Sequence, residues 1–124
     1  MNQLRVIILS CLVSFLLIPF TVTVAENTPN NSMLLSETEI NQKIETLPEW
    51  TTDGKVISRT FEFKDFVTAI DFVNQLVAPA ESAGHHPDLA ISYNKVTVSL
   101  TTHDAGGLTA LDFSLAEKIS QLAN

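Results

Sequence analysis

The chain has 124 residues, 45% of them hydrophobic and 17% charged, which suits one domain with its own apolar core. Its net charge of −7 disfavours nucleic acid and anionic membrane surfaces as electrostatic partners. The single cysteine, Cys11, lies in an apolar N-terminal stretch, so the remainder has no disulfide, no thiol nucleophile and no thiolate metal site.

Residues 7 to 22 are nearly all apolar and follow Arg5, and Thr23-Val24-Ala25 supply small residues before Glu26. A basic start, a short apolar run and a small residue before the cut describe a cleavable signal peptide over residues 1–25. The run is short for a membrane-spanning helix and is interrupted by Pro19. Cleavage would remove Arg5 and take the net charge from −7 to −8. The expected location is therefore exported or periplasmic, with no membrane attachment after leader removal. Translation from Met33 would instead give a cytoplasmic protein. Residues 26–34 read as a linker and 35–124 as the domain.

Ser36 followed by Glu39 forms a capping box that opens a helix of about 36 to 47, ended by Pro48. Trp50–Thr52 and Val56–Phe63 read as two strands around Asp53-Gly54, a two-residue turn signal. Ile57, Phe61 and Phe63 share one pleat face, and Arg59 breaks the apolar run. Asp65 caps a long helix of about 65 to 83 whose stripe is Phe66, Ile70, Val73, Val77 and Ala80, widened by Ala69, Phe72 and Leu76. Such width predicts contact with two surfaces. Pro79 marks a kink or an early end. Leu89–Tyr93 and Lys95–Thr102 form a second hairpin, with Asn94 taking the left-handed turn position. Thr109 caps a last helix carrying Asp112 at its third position and Leu111, Leu115, Ile119 and Leu122 toward the core. This order predicts an α+β fold: a four-stranded antiparallel sheet with three helices packed on one face. So small a layer leaves a face or an edge to cover, which favours a homodimer or homotetramer.

All three histidines fall within 19 positions, in Glu81-Ser-Ala-Gly-His85-His86-Pro87-Asp88 and Thr102-His103-Asp104-Ala105-Gly-Gly-Leu. Imidazole exchanges protons near neutral pH, so a trio around one cleft predicts a proton-transfer pocket. Pro87 holds His86 extended, and the two adjacent rings should point apart. Adjacent histidines before a proline rarely converge on one ion, and neither His-x-His nor His-Glu-x-x-His spacing occurs, so no metal is expected. Glu81, one turn before His85, is placed to orient that ring, while Asp104 and Asp112 flank the other wall. Gly106-Gly107 either turn the chain tightly or form an anion nest before the last helix. Trp50 either stacks on a flat heterocycle or belongs to the core.

These blocks resemble the pterin-4a-carbinolamine dehydratase family. The likeness extends through Leu47-Pro48, Trp50, Phe61-Glu62-Phe63, Asp65-Phe66, Phe72-Val73-Asn74 and Asp112-Phe113, over about residues 34 to 124. It implies dehydration of a 4a-hydroxytetrahydropterin to quinonoid dihydropterin with no cofactor. By carry-over, His85 and His103 transfer protons and His86 mainly holds the pterin. Glu81, Pro87, Thr102, Asp104, Ala105 and Asp112 complete the substrate-binding set. The alternative is an exported pterin-binding or protein-interaction module of the same fold.

Overall fold

A computed structural model describes residues 33–123. The expected leader and most of the linker lie outside these residues. Three α-helices, α1 (Glu37–Ile44), α2 (Phe66–Ala83) and α3 (Ala110–Leu122), alternate with strands β1 (Thr51–Thr52), β2 (Ile57–Glu62), β3 (Asp88–Ser92) and β4 (Lys95–Leu100). The four strands form one antiparallel sheet in the order β1-β2-β4-β3. The period-two rule decides what it faces. Ile57 and Phe61 of β2 and Val96, Val98 and Leu100 of β4 are buried toward the helices. Their neighbours Thr60, Glu62 and Lys95 are exposed on the opposite face. The predicted architecture is the observed one, with the helices covering one face.

Local chemistry explains the helix starts. Ser36 and Glu39 form the reciprocal capping box of α1. Asp65 accepts the Thr68 N–H and hydroxyl at the start of α2, and these bonds hold its carboxyl below the ordinary carboxylate range. Thr109 and Asp112 repeat the box on α3. α1 ends at Ile44 rather than Leu47, because the Thr46 and Leu47 N–H groups bond back three residues, to Lys43 and Ile44, instead of four.

Several local expectations are corrected. The first hairpin pairs Thr52 with Ile57, so its loop is four residues, 53–56. Asp53 Oδ1 accepts the N–H groups of both Lys55 and Val56, which widens the turn beyond two residues. Arg59, which breaks the apolar run, pairs with Glu49 and lies 4.2 Å over the Phe61 ring, so its charge is matched. α2 runs through Pro79 to Ala83 without ending early, and Gly84, φ 58, caps it. Its core stripe is Ala69, Phe72, Leu76 and Ala80, while Phe66 and Val77 of the expected stripe are exposed. Phe72 sets this rotation by packing against both Phe61 and Phe63, with centroids at 4.8 and 4.9 Å. In the second hairpin Tyr93, not Asn94, takes the positive φ, at 52. Asn94 is held instead by Phe63: its side-chain amide donates to the Phe63 carbonyl at 2.6 Å and its carbonyl accepts the Phe63 N–H. In α3, Leu115 and Ile119 are buried as expected, whereas Leu122 is exposed and Leu111 is half-buried.

Candidate active site

Two chain reversals build the site. At the exit of α2, Gly84 turns left-handed and the His85 N–H bonds back to the Ala80 carbonyl at 3.2 Å. That turn drives His85 inward beneath the helix and leaves His86 outside. After β4, Thr102 pairs with Gly107 across a short 3-10 turn, His103–Ala105, which His103 opens. Gly106, φ 78, closes this turn in a conformation that an L side chain rarely adopts. The glycine pair thus serves the reversal. The position an anion would take at the α3 N-terminus is filled by the chain's own Asp112 carboxylate, which accepts the Thr109 N–H at 2.8 Å.

Between the two reversals lies a cavity of about 500 Å³, within the range of small-molecule sites. All three histidines line it, together with Thr102, Asp104 and Ala105. Gly84, Thr101 and Leu111 also line it and escaped the sequence reading. Leu111 carried a usable signal: it lies beside Asp112, in the first turn of a helix whose start faces the histidines. No cation is among the lining residues.

The carboxylates pair differently from expectation. Glu81 bonds His86, Oε1 to Nε2 at 2.9 Å, and not His85. Both of these side chains are more than half exposed. His85 Nε2 instead lies 2.7 Å from Asp112 Oδ1. Asp112 is completely buried, so it stands behind His85 rather than on the cavity wall. Its second oxygen accepts the Thr102 hydroxyl at 2.9 Å. Glu81 and Pro87 are also off the cavity wall and line a smaller apolar groove, of about 200 Å³, between α2 and β3. His103 is exposed, with Asp88 as its nearest carboxylate at 3.8 Å. The two adjacent rings take separate partners, Asp112 for His85 and Glu81 for His86.

Trp50 is settled as core: it is 4% exposed, packs edge-on to Phe61 and donates its indole N–H to Ser120 at 2.9 Å. Among the described residues, no group of three His, Cys, Asp or Glu side chains is placed to hold a metal ion. The geometry offers imidazoles with separate partners around one opening, an arrangement suited to moving protons.

Fold and site together define a small α+β protein whose two chain reversals wall a three-histidine pocket. The chain belongs to the pterin 4 alpha carbinolamine dehydratase family, whose model matches residues 33–122. A Cyanothece protein provisionally named pterin-4-alpha-carbinolamine dehydratase is 64% identical over 92 residues, covering 74% of this chain and 95% of its own. A Sulfurisphaera tokodaii protein with the same provisional name is 50% identical over 88 residues, covering 71% of this chain and 95% of its own. A crystal structure described as a transcriptional coactivator/pterin dehydratase from Brucella melitensis matches at a TM-score of 0.69 and 41% identity, over 73% of this chain and 98% of that one. A pterin dehydratase-like RuBisCO assembly factor of the alpha-carboxysome shares the fold at a TM-score of 0.50 and 20% identity, over 60% of this chain and 87% of that one.

Proposed function

We propose that this chain is a 4a-hydroxytetrahydrobiopterin dehydratase, a hydro-lyase that converts the carbinolamine to quinonoid dihydropterin and water. The observation that carries this reading is the convergence of His85, His86 and His103 on one cavity. The reaction needs two proton movements and no redox partner. The 4a hydroxyl takes a proton as its C–O bond breaks and leaves as water. The neighbouring ring N–H gives up its proton, and that electron pair closes the C=N bond. His85 and His103 transfer these protons, which general acid–base catalysis rewards by about 10²- to 10⁴-fold. His86, tied to Glu81, holds the pterin, and Pro87 restrains His86 from behind. Thr102, Asp104, Ala105 and Leu111 form the walls, and Asp112 acts from beneath His85 rather than on substrate.

The test is a dehydration assay on carbinolamine generated in situ, read against the spontaneous reaction. Protein dialysed against a chelator should accelerate it as well as untreated protein. Only the spontaneous rate in both samples would sink the reading, and activity lost to chelator and restored by zinc alone would overturn the acid–base assignment.

The same domain is a homodimer or homotetramer. Val67 and Val77 of α2 are 67% and 59% exposed, and Leu89 and Ile91 on edge strand β3 are about two-fifths exposed. This much uncovered apolar surface on one small layer marks a contact face. Light scattering at micromolar concentration should give a multiple of the monomer mass; a stable monomer would refute the packing argument.

A further inference from the structure

His85 meets the cavity through one ring nitrogen. Its Nε2 contacts Asp112 Oδ1 at 2.7 Å. Its Nδ1 has no protein partner among the described residues, yet no buried side-chain polar atom there lacks one. Nδ1 is therefore open to the cavity that His85 lines.

The hydrogen-bond directions around Asp112 can be assigned. The Thr109 backbone N–H can only donate, so Asp112 Oδ2 accepts it at 2.8 Å. The Thr102 hydroxyl donates to the same oxygen at 2.9 Å. Thr102 has one proton, so in its 2.8 Å contact with Thr109 the donor is the Thr109 hydroxyl, which also approaches Asp112 Oδ2 at the longer distance of 3.4 Å. The Thr109 oxygen in turn accepts the Leu111 N–H at 3.2 Å. Every other contact of Asp112 is thus a donor aimed at the carboxylate. A ring N–H at Nε2 would supply Oδ1 with a donor in the same way.

We propose that Asp112 is a positioning residue that locks His85 as the Nε2–H tautomer and presents Nδ1 to the cavity as a proton acceptor. The other two histidines have no such lock: His86 pairs with an exposed Glu81, and His103 stands 3.8 Å from an exposed Asp88. The lock gives the site a polarity. Taken together with the dehydratase reading, on which this step rests, His85 Nδ1 is the base that receives the ring N–H proton. The imidazolium so formed sits against the buried carboxylate, and His103 is left as the acid for the leaving hydroxyl. An orienting carboxylate of this kind holds a catalytic imidazole in the hydrolytic triad, where the amide replacement lowers kcat about 10⁴-fold through the wrong tautomer.

The experiment is long-range ¹H–¹⁵N NMR on ¹⁵N-histidine protein, wild type and Asp112→Asn, at a pH where His85 is neutral. An asparagine keeps one oxygen for Thr102 and Thr109 and turns its NH₂ toward Nε2, which must then accept. Wild-type His85 should carry its proton on Nε2, and D112N should carry it on Nδ1. The kcat for dehydration should fall by about 10²- to 10⁴-fold with KM nearly unchanged. A wild-type proton on Nδ1, or the same tautomer in both proteins, would overturn the proposal. So would a flipped tautomer with wild-type kcat. If D112N does not fold, the wild-type spectrum alone decides the tautomer. A locked wild-type tautomer in a protein that gives only the spontaneous rate would remove the dehydratase reading and uphold the lock.

Discussion

With His85 and His103 both changed to alanine, the folded protein should turn carbinolamine over at little more than its spontaneous rate. On the proposed mechanism each ring carries one of the two proton movements of a single elimination. Either single replacement should therefore lower kcat by about 10²- to 10⁴-fold while pterin affinity changes little. The two losses should not add, because residues that act as a unit fail together. His103 is the cleaner test, since its side chain is 78% exposed and its removal touches no packing. His85 also holds Asp112, so its variant must be read beside a melting curve. His86→Ala should behave differently, raising KM more than it lowers kcat, because a holding contact is felt equally by substrate and transition state. A folded double variant that dehydrates at near wild-type speed would end the mechanism.

Asp112→Ala should cost stability as well as rate. The side chain is fully buried and bonds Thr102, Thr109 and His85 at once. Truncation strands these polar groups away from water and leaves a void. Each buried unpaired group costs about 1–3 kcal/mol, so a total loss of about 2–5 kcal/mol is expected. In a domain of this size that lowers Tm by about 8–40 °C, at roughly 4–8 °C for each kcal/mol. Asp104→Ala, at an exposed cavity wall, should shift stability by no more than about 0.5 kcal/mol. Thermal melts of the two variants side by side decide the matter. An Asp112→Ala protein that melts with wild type would show that the buried network contributes nothing to the fold.

The local rules read well where a residue's partner is near in sequence. Ser36 with Glu39 and Thr109 with Asp112 are three apart, and both capping boxes form as expected. Asp65 starts α2 for the same reason. Turns were harder, because a turn type depends on what braces it. Asn94 has the tolerant side chain, but its amide is spent on Phe63, thirty-one residues away, and Tyr93 takes the strained position. The stripe of α2 was rotated in the same way. Periodicity offers two overlapping apolar faces, and only the packing of Phe72 on Phe61 and Phe63 selects the inner one.

The candidate site divides along the same line. The order of elements, the caps, the absence of thiol chemistry beyond Cys11, and the three histidines with the blocks that resemble one family are all legible along the chain. Each of these depends on residue type and short spacing. Which carboxylate each histidine meets is set by packing between distant elements. Glu81 lies four residues before His85 and looked like its partner, yet Gly84 turns left-handed and sends that ring inward. There α3, packed against α2, brings Asp112 to it across 27 residues of chain. His86, exposed at the exit of α2, is left to Glu81. A hydrogen bond across that separation is fixed by how two helices pack, and packing is a sum over many distant contacts that no local spacing contains.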